Sequence, residues 1–184
     1  MSTVTCILPY CVTLKANVVT IILPGYSLHN KDWAEEIKTE LNLGHKVIVH
    51  NWEHWQAKGS LSPKREIARI LKEVGKDEVN VIAKSVGTMI TVLLTPLLKG
   101  KIGKIILCGI PSVSKERKEK FKEGLVGIPG EKIICFQNSG DPFASYDEVE
   151  NFLAGVNPKI KVIKKERNDH HYPYPEEFSL FLKG

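Results

Sequence analysis

Six short apolar runs, rich in β-branched residues, alternate with helical segments along most of the chain. That alternation limits the folds open to it. The runs are Val18–Leu23, Lys46–His50, Val79–Ala83, Lys104–Cys108, Lys132–Phe136 and Lys159–Ile163. They are continuously apolar rather than alternating, as strands are when helices cover both sheet faces. Helical segments are expected at Lys31–Leu43, Pro63–Val74, Val86–Leu98, Ser114–Lys122, Tyr146–Ala154 and from about Pro175 to Leu182. In the second of these, Ile67, Ile70, Leu71 and Val74 share one face, Ser62 stands at the capping position and Pro63 at the first helical one. Gly44, Gly75 and Gly100 follow helices, where a left-handed residue closes the last turn. Strand–helix units of this length predict an α/β fold: a mostly parallel sheet of about six strands in a three-layer α/β/α sandwich. With 184 residues, 42% of them hydrophobic, and no repeat or linker, one domain over 1–184 is expected. Residues 1–16 are less regular. Thr3–Leu8 and Val12–Leu14 read either as an edge strand or hairpin, or as a leader.

The chemistry-bearing residues fall at the ends of the predicted strands. Ala83-Lys84-Ser85-Val86-Gly87 joins the third run to the third helical segment. A serine at a strand-to-helix turn, with a small residue two before and two after it, has the pattern of a nucleophile elbow. The turn is so sharp that a larger flanking side chain would meet the neighbouring backbone. The helix behind it aims its positive end and free N–H groups at the same point. A helix-capping serine is the plainer reading of the pentapeptide alone. An elbow serine also needs a base and a group to orient that base, and these follow later strands in the order serine, acid, histidine. The fifth run leads into Gly140-Asp141-Pro142 and the sixth into Asp169-His170-His171-Tyr172. The carboxyl ends of parallel strands are where ligands bind in open α/β sheets. Leu23-Pro24-Gly25-Tyr26-Ser27, after the first run, is the expected source of a second backbone donor, the Tyr26 N–H, beside that of Val86. Gly25 is expected to let this loop curl beneath a substrate carbonyl.

These four stretches together resemble the α/β-hydrolase family, and in particular its small, lid-poor intracellular branch that includes retinoblastoma-binding-protein-9-like hydrolases. The resemblance covers Asn17 to Gly184. It implies a serine hydrolase acting on a carboxylic ester, thioester or small amide. Ser85 would be the nucleophile, His170 the base and then acid, and Asp141 the orienting carboxylate. Asp-His-aromatic spacing in relatives favours His170, while His171-Tyr172-Pro173 also resembles the ending of some members. Ala83 replaces the usual first elbow glycine, and Pro-Gly stands before Tyr26 where many relatives have His-Gly. Larger relatives insert a lid after the fourth run. Gly109 to Glu131 leaves room for one helix and loops, so an open site with little selectivity by shape is expected. Two other readings share the scaffold: a catalytically silent binding protein, and an acyltransferase using the same residues.

Other signals are weaker. His50-Asn51-Trp52-Glu53-His54 matches a zinc-peptidase string, but that motif needs a helix and this one leaves a strand. It reads as a loop after the second strand whose aromatics, Trp52 and Trp55, wall the site near Tyr26. Asp169-His170-His171 lacks the further aspartates of a paired-metal site. No metal and no cofactor is expected, since no phosphate-binding glycine motif is present. Lysine plus arginine is 26 and aspartate plus glutamate 21. The excess is mild, and the basic segment Lys115–Lys122 interleaves glutamates, so it reads as a solvated helix face rather than a nucleic-acid surface. No apolar run reaches the ~18 residues of a membrane span. Cys108 and Cys135 sit in apolar runs as small hydrophobes, whereas Cys6 and Cys11 would pair only in an oxidising compartment. A cytoplasmic protein with a small-molecule acyl substrate is expected.

Overall fold

The computed structural model describes residues 17–57, 59–98 and 100–184. The expectations for residues 1–16, Cys6 and Cys11 among them, lie outside the described residues. The strands are β1 (Val18–Leu23), β2 (Lys46–Val49), β3 (Glu78–Lys84), β4 (Ile102–Cys108), β5 (Ile133–Asn138) and β6 (Lys161–Lys165). The helices are α1 (Asn30–Glu40), α2 (Pro63–Val74), α3 (Val86–Leu98), α4 (Lys115–Leu125), α5 (Tyr146–Ala154) and α6 (Pro175–Lys183), with short 3-10 turns at Glu53–Trp55 and Gly130–Lys132. All five strand pairings are parallel, in the order β2-β1-β3-β4-β5-β6. The chain steps outward from β1 to β2, then crosses back to β3. This reversal opens a crevice beyond the carboxyl ends of β1 and β3.

Two apolar layers hold the sandwich together. On one face, Val19, Ile21 and Leu23 of β1 and Val79, Val81 and Ala83 of β3 pack with side chains of α2, α3, α4 and α5. On the other, Ile22, Ile82, Ile106 and Phe136 pack against Trp33 and Ile37 of α1 and Phe178 and Leu182 of α6. The period of two along each strand sets which residue serves which layer. Among the described residues, no helix is long and apolar enough to cross a membrane.

Local differences from the sequence-based expectations have local causes. Ser62 precedes Pro63 as expected, but its side chain makes no capping bond. It contributes its carbonyl instead, which accepts the Glu66 N–H at 3.0 Å. Strand β6 starts two residues late because Asn157 Oδ1 takes the Lys159 N–H at 3.0 Å and holds that segment in a turn. Gly44, Gly75 and Gly100 take φ of +61°, +61° and +79°, the left-handed region their positions called for.

Candidate active site

Ser85 follows the last residue of β3 and has φ of +55°, the single non-glycine residue with positive φ among the described residues. This geometry costs about 1–2 kcal/mol in an L-residue, so the surroundings must impose it. Its N–H donates to the Cys108 carbonyl at 2.9 Å and its carbonyl accepts the Thr88 N–H at 3.0 Å. The Thr88 hydroxyl adds a second bond to that carbonyl at 2.6 Å. Two residues on, a Cβ at Gly87 would lie 2.2 Å from the Leu23 carbonyl oxygen. Only glycine lets α3 begin against the end of β1, and this fixes the turn.

Asp141 follows β5 and is almost wholly buried. One of its oxygens, Oδ1, accepts the Phe143 N–H at 2.9 Å, the turn an Asp-Pro pair forms readily. The other, Oδ2, lies 2.6 Å from His170 Nδ1 and accepts the Tyr172 hydroxyl at 2.5 Å. Asp141 therefore serves both as turn former and as histidine partner. Burial alone would raise its carboxyl, but the bonds from His170, Tyr172 and the Phe143 N–H outweigh burial and hold it below the usual carboxylate range. Tyr172 is held in turn: its hydroxyl oxygen accepts the Asn138 N–H at 3.3 Å, and its carbonyl accepts Trp33 Nε1–H at 2.9 Å. Burial, then the Asp141 carboxylate, push the Tyr172 phenol upward, which keeps it a donor. In the sequence Tyr172 stands only as the aromatic that ends the Asp169-His170-His171-Tyr172 stretch, and nothing in that spacing signals its bond to Asp141.

The structure joins His170, not His171, to Asp141. The Asp169 side chain instead accepts the His171 N–H at 3.1 Å. Burial and the nearby charges of Lys84 and Arg167 pull the His171 imidazole below its ordinary range. The far nitrogen of His170, Nε2, is buried and has no hydrogen-bond partner among the described residues. The Ser85 hydroxyl therefore does not bond to it in this conformation. Both residues line one cavity of about 550 Å³, whose wall includes Tyr26, Ser27, Asn30 and Phe143.

The loop after β1 is pinned from behind. Trp52 Nε1–H donates to the Gly25 carbonyl at 3.1 Å, and Trp55 Nε1–H to the Tyr26 carbonyl at 2.8 Å. His54 Nε2 lies 2.8 Å from the same Tyr26 oxygen. In a planar trans peptide, C=O and N–H point to opposite sides. Anchoring the Gly25 carbonyl on Trp52 therefore turns the Tyr26 N–H away from the tryptophan. Neither the Tyr26 N–H nor the Val86 N–H is taken by a protein acceptor among the described residues. Trp52 and Trp55 thus act beneath the loop rather than in the wall of the cavity, which corrects their expected placement. Gly25 does not have positive φ. Space rather than φ favours glycine: a Cβ there would lie 2.6 Å from the Asn30 side chain, whose amide is held by Ser27 and Lys84.

The histidines of the zinc-like string are engaged elsewhere. His50 sits between Glu66 Oε2 at 2.9 Å and Glu73 Oε2 at 2.8 Å. Among the described residues, no group of three or more His, Cys, Asp or Glu side chains is placed to hold a metal ion.

No protein-family model matches the chain, and no curated protein matches it in sequence. Solved structures do match it in shape. A lid-less α/β serine hydrolase from Xanthomonas campestris superposes with a TM-score of 0.66 at 16% identity, covering 96% of this chain and 84% of that one. An alpha-beta serine hydrolase homologue from Coxiella burnetii gives 0.68 at 16%, covering 92% and 86%. The thioesterase domain of a curacin biosynthetic pathway gives 0.65 at 10%, covering 92% of each. The chain has the α/β-hydrolase fold, in a small form whose segment between β4 and β5 holds one α-helix and no lid domain.

Proposed function

We propose that the protein is a serine hydrolase that cleaves a carboxylic ester, thioester or small amide. The observation that carries this reading is the His170–Asp141 bond of 2.6 Å in the same cavity as Ser85, a serine held at φ of +55°. In the proposed reaction the Ser85 hydroxyl rotates toward His170 Nε2, the one unpartnered polar atom of that ring. Hydrogen bonds of this kind are often long before substrate binds. The Ser85 oxygen forms a bond to the substrate carbonyl carbon, and His170 takes the hydroxyl proton. Asp141 holds the ring and offsets the charge it gains. The Tyr26 and Val86 N–H groups receive the negative oxygen. The bond to the leaving group then breaks, and His170 returns the proton to that group. Water, deprotonated by the same ring, then bonds to the acyl carbon, the bond from that carbon to the Ser85 oxygen breaks, and His170 returns the proton to Ser85. We place this chemistry in the cytoplasm, in keeping with the free, buried thiols of Cys108 and Cys135.

A fluorophosphonate probe tests the assignment. The expected result is covalent labelling of the wild type at Ser85 and none of Ser85→Ala. Stoichiometric labelling of the alanine variant would overturn it. Product analysis with added alcohols and amines separates hydrolysis from acyl transfer.

A further inference from the structure

The floor of the cavity carries a buried ammonium. Lys84 is 5% exposed, although it lines the same space as Ser85. Strand parity places it there: Ile82 and Lys84 of β3 face α1 and α6, opposite to Val81 and Ala83. Its Nζ donates to Asn30 Oδ1 at 2.5 Å and lies 5.2 Å from the centre of the Trp33 ring. The orientation of Asn30 is settled from its other end, since its Nδ2 donates to Ser27 Oγ at 2.8 Å. An ammonium has three N–H donors. Asn30 takes one, and Lys84 forms no ion pair among the described residues.

The carboxylates that feel this charge are committed elsewhere. Asp141 serves His170, Tyr172 and the Phe143 N–H. Asp169 pairs with Arg167 and accepts the Asn138 amide and the His171 N–H. Asp32 and Glu36 also line the cavity but are exposed. Water and salt weaken their field, and a charge beneath protein is weakened much less. An apolar side chain would pack against Trp33 without the desolvation that a buried ammonium suffers. Burial pulls the Lys84 ammonium below the ordinary lysine range, against the opposing charges of Asp141 and Asp169; the Cys108 thiol, itself pushed up by burial, stays neutral and adds no charge. An anion placed beside it would reverse that loss.

We propose that Lys84, oriented by Asn30, is a specificity-determining residue that binds a carboxylate of the substrate. The enzyme would then prefer esters or thioesters bearing a free carboxylate over their neutral counterparts. This inference rests on the reading of Ser85 as nucleophile. Shape gives an open cavity little selectivity, whereas a desolvated charge gives a large one, because a neutral group leaves it unpaired.

Paired esters test it. In the acyl arm, the mono-para-nitrophenyl ester of adipic acid is compared with para-nitrophenyl hexanoate, after subtraction of spontaneous hydrolysis. In the leaving-group arm, para-hexanoyloxybenzoate is compared with phenyl hexanoate. The expected result is a kcat/KM ratio of charged to neutral ester of at least tenfold in one arm, which also tells which half carries the anion. That ratio should fall to about one or below in Lys84→Met and survive in Lys84→Arg. Neutral esters hydrolysed as fast as charged ones in both arms would overturn the subsite and leave the hydrolase reading standing. Should Ser85 take no fluorophosphonate and no ester turn over, the hydrolase reading fails instead. Calorimetry with adipate then decides the subsite alone. Saturable binding that Lys84→Met abolishes supports it, and no binding by the wild type overturns it.

Discussion

Tyr172 donates its hydroxyl hydrogen to Asp141 Oδ2 across 2.5 Å, from a ring with no exposed surface. The same oxygen holds His170 Nδ1. Tyr172 thereby fixes where the carboxylate sits and tempers how strongly it attracts the histidine proton. Tyr172→Phe keeps the ring packing and removes this bond. A hydrogen bond to a charged group contributes about 1.5–3 kcal/mol, and a loss of stability of about that size is expected in urea unfolding. The sign with pH follows from Asp141. Burial raises its carboxyl, the three hydrogen bonds lower it, and the net result is a folded value below the unfolded one. Its contribution is present above the unfolded value, about 3.9, and is lost as pH falls through the lower folded value. The variant removes one of the lowering bonds. Its acid-unfolding midpoint should move to higher pH, and its difference from wild type should shrink toward low pH. An unchanged acid midpoint would contradict this account.

Gly109 follows β4 in left-handed geometry, with φ of +59°. A Cβ there would lie 2.5 Å from Tyr172 Cε2 and 2.7 Å from His170 Cε1. Both rings are held by Asp141 and cannot simply swing aside. Gly109→Ala should destabilise the fold by about 1–3 kcal/mol and lower kcat on an activated ester at least tenfold by displacing His170. Gly44→Ala is the matched control. It has nearly the same φ, +61°, but nothing within 4 Å of the added carbon. It should lose about 1–2 kcal/mol and keep its kcat. Equal kcat in the two variants would show that space beside His170 does not matter.

Trp52 is fully buried and holds the Gly25 carbonyl. Trp52→Phe retains most of the apolar surface and removes the N–H. The Gly25–Tyr26 peptide plane is then free to rotate, and with it the Tyr26 N–H. Removing one oxyanion donor outright costs about a hundredfold or more in kcat. Loosening one should cost about tenfold, with KM little changed if the donor acts chiefly on the developing oxyanion. A variant in which KM rises while kcat holds would place this loop in ground-state binding instead.

The local features of the fold were readable because they are written over short distances. Helices α2, α3 and α5 and strand β1 have the expected bounds, since apolar spacing, Pro63 and the glycines act on neighbouring residues. Ser85, Asp141 and His170 were approachable because each stands just past a strand end. What the sequence did not disclose depends on pairs far apart in the chain. Lys84 meets Asn30 across 54 positions and Tyr172 meets Asp141 across 31. Neither pairing leaves a spacing to recognise. On α2 the apolar spacing puts Ile67 on the inner face, yet Glu66 is buried and Ile67 only partly so. The apolar pattern could not show that a buried histidine and an arginine would satisfy that carboxylate.

His50 is the centre of that arrangement. Its ring is fully buried, and its two nitrogens face carboxylate oxygens of Glu66 and Glu73. Glu66 is 1% exposed, and it also pairs with Arg69 at 2.6 Å and accepts the Glu53 N–H at 2.8 Å. The cluster ties the end of β2 to α2, directly behind the turn that carries Trp52 and Trp55. His50→Leu fills the space but leaves Glu66 with a buried oxygen that has lost a partner. Breaking a buried pair from one side typically costs about 3–5 kcal/mol. Because Arg69 remains, a loss of about 2–4 kcal/mol in urea unfolding is expected. The double variant His50→Leu, Glu66→Leu removes the stranded charge together with its partner. It should recover part of that loss, since replacing a buried ionic cluster with apolar groups is often neutral. Were the double variant less stable than the single one, Glu66 would hold α2 in place chiefly through Arg69 and the Glu53 N–H, and His50 would be the dispensable member.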